Sequence, residues 1–411
     1  MGKELPLSVI FAGIDWADAT HQVVAIDDKA RMLADFSVKH SRPGLDELGR
    51  KLLKLAGQDL ANVACIVETS QGLLIQYLLE HGFAVYPVNP KLVDHRRKPS
   101  GAKSDPLDAR LLADIGRAEL PYLRQLRPDS AIIEELKMLT RDQDDLIQER
   151  TRLTNKLIAC LKLYYPVALD LFSHANTPIF LDFLQAYPTL EKALEASVPE
   201  IAVFLKTHKH PQPNKTAVAI WTKLHEPQLE ANAATTRAKA RLMLSLVTRL
   251  KNLQADIKGY DQDIQDLFQS HSDYKIFASL PGAGVRVAPR LLAEWGDDRS
   301  RYPGLPAVQA LAGTTPVLFQ SGKYAYARPR KSCVKPFRNV MYQLAMQSIR
   351  WVSWAREYYD AKRAQGKAHA TALRCLASVW MRIIYAMWLN NTPYDEALFL
   401  AAKERHALRA A

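Results

Sequence analysis

The stretch Val9-Ile10-Phe11-Ala12-Gly13-Ile14-Asp15-Trp16-Ala17 decides how the N-terminal part of this chain is read. It is an apolar run of strand type that ends in one carboxylate, Asp15. The chain then turns into a second apolar run, His21-Gln22-Val23-Val24-Ala25-Ile26-Asp27. A carboxylate on an otherwise buried strand costs roughly several kcal/mol unless it is paired or holds a metal. Asp15 therefore needs compensation, and the neighbouring residues are where to look for it.

Working outward, the pattern predicts strands over residues 8–15, 21–27 and 32–38, then an amphipathic helix over 44–56 with Leu45, Leu48, Leu52, Leu53 and Leu55 on its apolar face. A buried strand follows at 63–67 and ends in a second carboxylate, Glu68. Thr69-Ser70-Gln71-Gly72 opens a helix that runs to His81-Gly82, where the glycine suits a C-cap. A fifth strand, 83–88, leads through Asn89-Pro90 into a basic connection over 91–103 that carries Arg96, Arg97, Lys98 and Lys103. Ser104-Asp105-Pro106-Leu107-Asp108-Ala109 then opens another helix, with Ser104 or Asp105 as cap and Pro106 in the first turn. The order β-β-β-α-β-α-β-α argues an α/β domain with a mixed sheet covered by helices, here residues 1–125.

From about residue 126 the character changes to long helices. Leu139, Leu146, Leu153 and Cys160 share one heptad register. Met243, Leu250, Ile257 and Ile264 alternate with Leu246, Leu253, Tyr260 and Leu267 at a and d positions, which predicts a coiled coil despite Gly259. Its partner is either the earlier long helix or a second protomer. Residues 166–227, richer in Pro and His, read as a helical insertion within this 126–271 segment. Residues 272–411 read as a compact, mainly helical domain, with long helices near 338–362 and 367–389. Within it, 280–296 resembles a helix-hairpin-helix, although a plain interhelix turn fits the glycines equally well.

The formal net charge of +12 suits a polyanionic partner, and nucleic acid is the commonest for a protein of this composition. The charge is densest over 322–338, where Lys323, Arg328, Arg330, Lys331, Lys335 and Arg338 are interleaved with Tyr324, Tyr326 and Phe337 and no acid intervenes. The four cysteines lack CxxC spacing, which argues against zinc and against a disulfide framework. No window suggests a membrane span or a secretory signal, so a cytoplasmic protein without membrane contact is expected.

Asp15 and Glu68 end the first and fourth strands, and Asp105 and Asp108 stand at i and i+3 on one helix face. If the first and fourth strands are neighbours, all four carboxylates meet. Such a group repels itself, and one or two hard divalent cations are the natural remedy. Two magnesium ions about 4 Å apart can serve phosphoryl transfer. Singly, each acid has a plainer role: a turn acid at Asp15, a helix-dipole partner at Glu68, a cap at Asp105 and a first-turn acid at Asp108.

Together, Gly13-Ile14-Asp15, Val67-Glu68-Thr69 and Lys103-Ser104-Asp105-Pro106-Leu107-Asp108-Ala109 resemble the RuvC-like, ribonuclease-H-fold domain of DEDD-type insertion-sequence transposases, the bridge-RNA-guided serine recombinases. Leu280–Gly284, Glu294-Trp295-Gly296, 310–316 and Gln320-Ser321-Gly322-Lys323 are similar to that family's second domain. One departure is Ser332-Cys333-Val334-Lys335-Pro336-Phe337-Arg338, where many members have a glycine-asparagine step; another is the long 166–227 insertion. The resemblance implies that Asp15, Glu68, Asp105 and Asp108 hold Mg2+ and that Ser321 is the nucleophile. It further implies donor and target double-stranded DNA and a guide (bridge) RNA; the coiled coil predicts a homodimer, and the joining of two DNA duplexes suits its assembly to a tetramer. Two rivals remain open: a hydrolytic RuvC-like nuclease or junction resolvase with Ser321 structural, and a non-catalytic nucleic-acid scaffold.

Overall fold

In a computed structural model of the chain, residues 9–97, 104–322 and 324–401 are described. They divide into two compact units, residues 1–128 and 129–411. The first is an α/β unit. Strands β1 (Ile10–Asp15), β2 (Thr20–Ile26) and β3 (Met32–Lys39) form an antiparallel meander, followed by helix α1 (Arg42–Leu55). Strand β4 (Val63–Val67), helix α2 (Leu73–Glu80), strand β5 (Ala84–Pro87) and helices α3 (Pro90–Arg97) and α4 (Asp105–Glu119) complete it. The mixed five-stranded sheet has the order β3-β2-β1-β4-β5, with β4 parallel to β1 and β5 parallel to β4. Strand alternation gives the sheet two apolar faces. Ile10, Ala12, Ile14, Cys65 and Val67 pack against α1 and α2, whereas Phe11, Ala64, Ile66 and Val24 pack against α3 and α4.

The basic connection expected over 91–103 is in part a helix, α3. A proline at its first position and four charged or polar residues after Val93 hide its periodicity from a hydrophobic count.

The second unit is helical, with one hairpin. Helix α5 (Ala131–Leu161) leads to α6 (Pro178–Ala186), α7 (Leu190–Leu194), α8 (Val198–Thr207) and α9 (Pro213–His225), and α10 (Ala233–Ser270) returns. Then come α11 (Tyr274–Ala278), α12 (Gly284–Trp295), α13 (Leu305–Leu311), strands β6 (Val317–Ser321) and β7 (Tyr324–Arg328), and α14 (Lys335–Trp351), α15 (Ser353–Ala364) and α16 (His369–Asn390).

The long helices α5 and α10 pair with each other, antiparallel: Cys160 Sγ lies against Lys239 O, Glu149 faces Arg249, and Gln143 Nε2 donates to Asp261 Oδ1 at 2.9 Å. On α10 the expected a and d positions Met243, Leu246, Leu250, Leu253, Ile257 and Ile264 are buried. On α5 the expected register holds in part: Leu153 and Cys160 are buried, whereas Leu139 and Leu146 are only half-buried and the seam is completed by Leu136, Thr140, Gln143 and Leu157. Two polar residues in the seam hid the remainder. Thr140 is satisfied by Leu136 O at 2.8 Å, and Gln143 by Asp261 and by Arg290 of α12 at 3.1 Å. Because α5 fills the α10 heptads, the coiled coil gives no reason to expect a dimer.

One apolar cluster, at the end of this pair where α5 finishes and α10 begins, includes α6, α8 and α9, and a second at the opposite end includes α11–α16. The single long helix expected near 338–362 is broken at Val352, which takes an extended conformation with φ −129° and is buried in the second cluster. Against expectation, α16 is long and apolar enough to cross a membrane. Its Leu376, Trp380, Ile384 and Trp388 are buried in the second cluster, as suits a core helix.

Candidate active site and nucleic-acid interface

In the first unit, the site is built on the approach of α4 to β1. A Cβ added at Gly13 would lie 2.0 Å from Ala109 O and 2.5 Å from Ala113 N, so only glycine lets the helix lie this close to the strand. Gly116, one turn further along α4, sits against the Ile66 side chain in the same way, at 2.4 Å. Ala109 and Ala113 at Gly13, then Gly116 beside Ile66 and Phe11, mean that α4 runs opposite to β1. Its first turn therefore lies at the end of the sheet where Asp15 leaves β1.

The register Ile14↔Val67 makes Asp15 and Glu68 the next residues of adjacent parallel strands. Alternation sends both toward the face that α4 covers, since Phe11, Ala64 and Ile66 already face it. Asp108 immediately precedes Ala109 and is 5% exposed. Asp105 is exposed at the first position of α4, with Ser104 as N-cap at φ −157°. Asp105 is thus not the cap. Nor does Glu68 serve the dipole of α2, which begins at Leu73 behind a glycine N-cap. Asp15 is half-buried rather than buried; the carboxylate taken out of water is Asp108.

Four carboxylates thus share one end of the sheet by backbone placement. Among the described residues, however, no group of three or more His, Cys, Asp or Glu side chains is gathered closely enough to hold a metal ion. The donor set, carboxylate oxygens alone, fits a hard divalent cation.

Behind Asp15, the Ala17 N–H donates to His21 Nδ1 at 3.3 Å, and His21 Nε2 lies 2.8 Å from His40 Nδ1. This contact, between buried His21 and half-buried His40, ties the β1–β2 connection to the segment entering α1. Burial first, then the neighbouring His40, pushes the His21 pKa down to about 4.

The second unit presents Ser321 as the last residue of β6, on a hairpin where it pairs with Tyr324 and is followed by Gly322 at φ +55°. The pairs Ser321↔Tyr324, Phe319↔Tyr326 and Val317↔Arg328 put these six residues on one hairpin face. Phe319 and Tyr326 stack with centroids 5.5 Å apart and planes at 9°, and Arg328 lies over both rings at 5.2 and 4.9 Å. Sequence reasoning took this run as basic and aromatic and missed the strands. The signal was present: Leu318-Phe319-Gln320-Ser321, a Gly-Lys step, then Tyr324-Ala325-Tyr326-Ala327 alternate about a two-residue turn. The segment leaving the hairpin is fixed by Val334 N–H donating to Leu311 O at 2.9 Å. It is also fixed by Gly313 at φ +64°, whose added Cβ would meet Cys333 Sγ at 2.7 Å.

The expected basic residues divide. Arg96 pairs with Glu119 of α4. Arg330 is half-buried, with its Nε enclosed and lacking a hydrogen-bond partner among the described residues. Lys331 and Lys335 are exposed, and Arg338 is half-buried beside Cys333. Lys98, Lys103, Lys323 and the Arg97 side chain lie outside the described residues. In the helix-hairpin-helix candidate, a Cβ at Gly282 would meet Trp351 Cδ1 at 2.9 Å, and Arg286 is bound by Asp261 at 2.9 and 2.7 Å. Packing accounts for Gly282, so the plain-turn reading holds there.

Comparison with known proteins gives two family matches. A DEDD-type IS110 model described as a transposase matches residues 12–166, and a model described as "Transposase IS116/IS110/IS902 family" matches 274–360. A candidate mini-circle transposase for IS117 from Streptomyces coelicolor is 28% identical over 398 residues, 94% of this chain and 95% of that protein. An uncharacterized 42 kDa protein of insertion element IS900 from Mycobacterium paratuberculosis is 27% identical over 96% of this chain and 99% of its own length. A third relative, from insertion element IS116 of Streptomyces clavuligerus, is 28% identical over 94% and 96%. The first model spans all four carboxylates and runs on through α5, the second spans Ser321, and on both counts this chain belongs to the IS116/IS110/IS902 transposase family.

Proposed function

We propose that this protein is a DNA recombinase of a bacterial insertion sequence that cuts and rejoins donor and target DNA through a covalent 5′-phosphoserine intermediate. One observation carries the reading: Asp15 and Glu68 end adjacent parallel strands, and the first turn of α4, with Asp105 and Asp108, comes to the same sheet end. The unit's mixed α/β architecture is consistent with a ribonuclease-H-like fold. Family membership supplies the expectation of DNA substrates and a divalent metal. The three-domain division at 125 and 271, and action in the bacterial cytoplasm, belong to the same proposal.

Asp15, Glu68, Asp105 and Asp108 would hold Mg2+, which when bound supplies positive charge against the scissile phosphate and favours loss of the serine proton. The Ser321 Oγ attacks phosphorus as its proton passes to solvent; the Oγ–P bond forms and the P–O3′ bond breaks. The departing 3′ oxygen takes up a proton. A 3′-hydroxyl of another strand reverses these steps, so the phosphodiester is restored without outside energy. Exposed Lys331 and Lys335 would hold phosphates beside Ser321. A bridge RNA would select the DNA by base pairing, leaving the protein to read backbone and shape. A tetramer would bring donor and target together.

The test follows labelled element-end DNA with Mg2+ and a transcript of the flanking noncoding DNA, on denaturing gels before and after protease. Wild type should give a protease-sensitive adduct that is lost in Ser321→Ala and in Asp108→Asn. Cut DNA without an adduct, persisting in Ser321→Ala, would establish hydrolysis instead.

A further inference from the structure

We infer that the face of the β6–β7 hairpin is a stacking platform for unpaired bases of the DNA strand that Ser321 is proposed to attack. The choice of strand rests on the function proposed above; the recognition of unpaired bases does not.

A two-stranded hairpin is marginal in water unless something covers it. Here every strand residue except Val317 is exposed, on both faces. One face is nevertheless organised. The Phe319 and Tyr326 rings are parallel, 43% and 47% exposed, with the Arg328 guanidinium over both. The next pair along that face is Ser321 with Tyr324, which is 80% exposed.

The occupant must offer flat π-faces and negative charge. Flat faces are required by the parallel rings, and negative charge by six cations without an acid over 322–338. Unpaired nucleotides meet both demands, because aromatic rings and arginine planes stack on any base and basic side chains track its phosphates. Duplex DNA hides its base faces and meets only the second. Successive cross-strand pairs on one face are about 7 Å apart, the scale of one nucleotide of extended strand. A base held on Phe319 and Tyr326 would therefore bring a neighbouring phosphate to the level of Ser321.

The full-length protein, in its Ser321→Ala form so that no reaction intervenes, is titrated into three fluorescent probes: a duplex, the same duplex with a short unpaired bubble, and single-stranded RNA of the bubble sequence. The bubble should bind roughly tenfold tighter than the duplex. Phe319→Leu with Tyr326→Leu, which keeps apolar bulk on the strands but removes the π-faces, should bring the bubble to duplex affinity. Phe319→Trp should preserve the preference and shows that the hairpin tolerates substitution. Equal binding of bubble and duplex by wild type overturns the inference, as does a bubble preference that survives the leucine pair. If the leucine pair weakens only the RNA probe, the assignment to DNA is overturned. None of these outcomes depends on adduct formation, so the proposed chemistry and the platform fail independently.

Discussion

At the residue scale, the carboxylate site depends on an absent side chain as much as on the acids. Gly13→Ala would drive a Cβ into the Ala109 carbonyl oxygen and the Ala113 nitrogen, both backbone. Neither can swing aside, so α4 must lift from β1, at a cost of about 2–3 kcal/mol. The expected outcome is a lower urea midpoint and loss of activity with all four acids intact. His21 carries a pH dependence whose sign follows from its lowered pKa. Above pH 6.5 the imidazole is neutral in both folded and unfolded chains, and stability is at its full value. As pH falls from 6.5 toward about 4, the unfolded chain takes up the proton first, and stability drops by on the order of 2 kcal/mol. Urea titrations across this range should show that slope in wild type and a shallower one in His21→Gln. The acids were legible in the sequence because they interrupt apolar runs at strand ends and open a capped helix. The role of Gly13 was not, since nothing local reveals that a helix about 95 residues later will lie on it.

At the element scale, strands β1 to β5 were readable as apolar or alternating runs bounded by turn residues, and helix α10 by its uninterrupted heptad spacing. Helix α5 was readable as a helix, and its seam only toward Leu153 and Cys160, because Thr140 and Gln143 occupy buried positions that a hydrophobic count assigns to solvent. The hairpin was lost for the opposite reason: with every residue of β7 exposed, no apolar face marks it as sheet. Two substitutions separate seam from surface on α10. Leu250→Ala removes a fully buried side chain and should cost about 2–5 kcal/mol. Gly259→Ala, with nothing within 4 Å of the added Cβ, should raise stability by about 0.5–1 kcal/mol. Chemical denaturation should place the two on opposite sides of wild type.

At the scale of the whole molecule, the net charge of +12 predicts DNA binding that weakens steeply with salt. Plotted as log affinity against log salt, Lys331→Ala with Lys335→Ala should flatten the slope by about two if both side chains meet phosphates. Unchanged slope would remove them from the interface. Composition conveyed this basic character, and the change of pattern near residue 126 conveyed a helical second half, but the partner of α10 had to come from the fold. That partner makes the α5–α10 pair a boom whose two spars are anchored in one body and capped by another, α10 alone being about 57 Å long. Its reach is quantised. Excising one heptad from each spar at facing positions would shorten it by about 10 Å while every remaining seam residue keeps a partner. That step is about three base pairs of DNA, so the distance between body and cap is a dimension this chain can change in discrete units, provided the Gln143 and Asp261 contacts with α12 are kept.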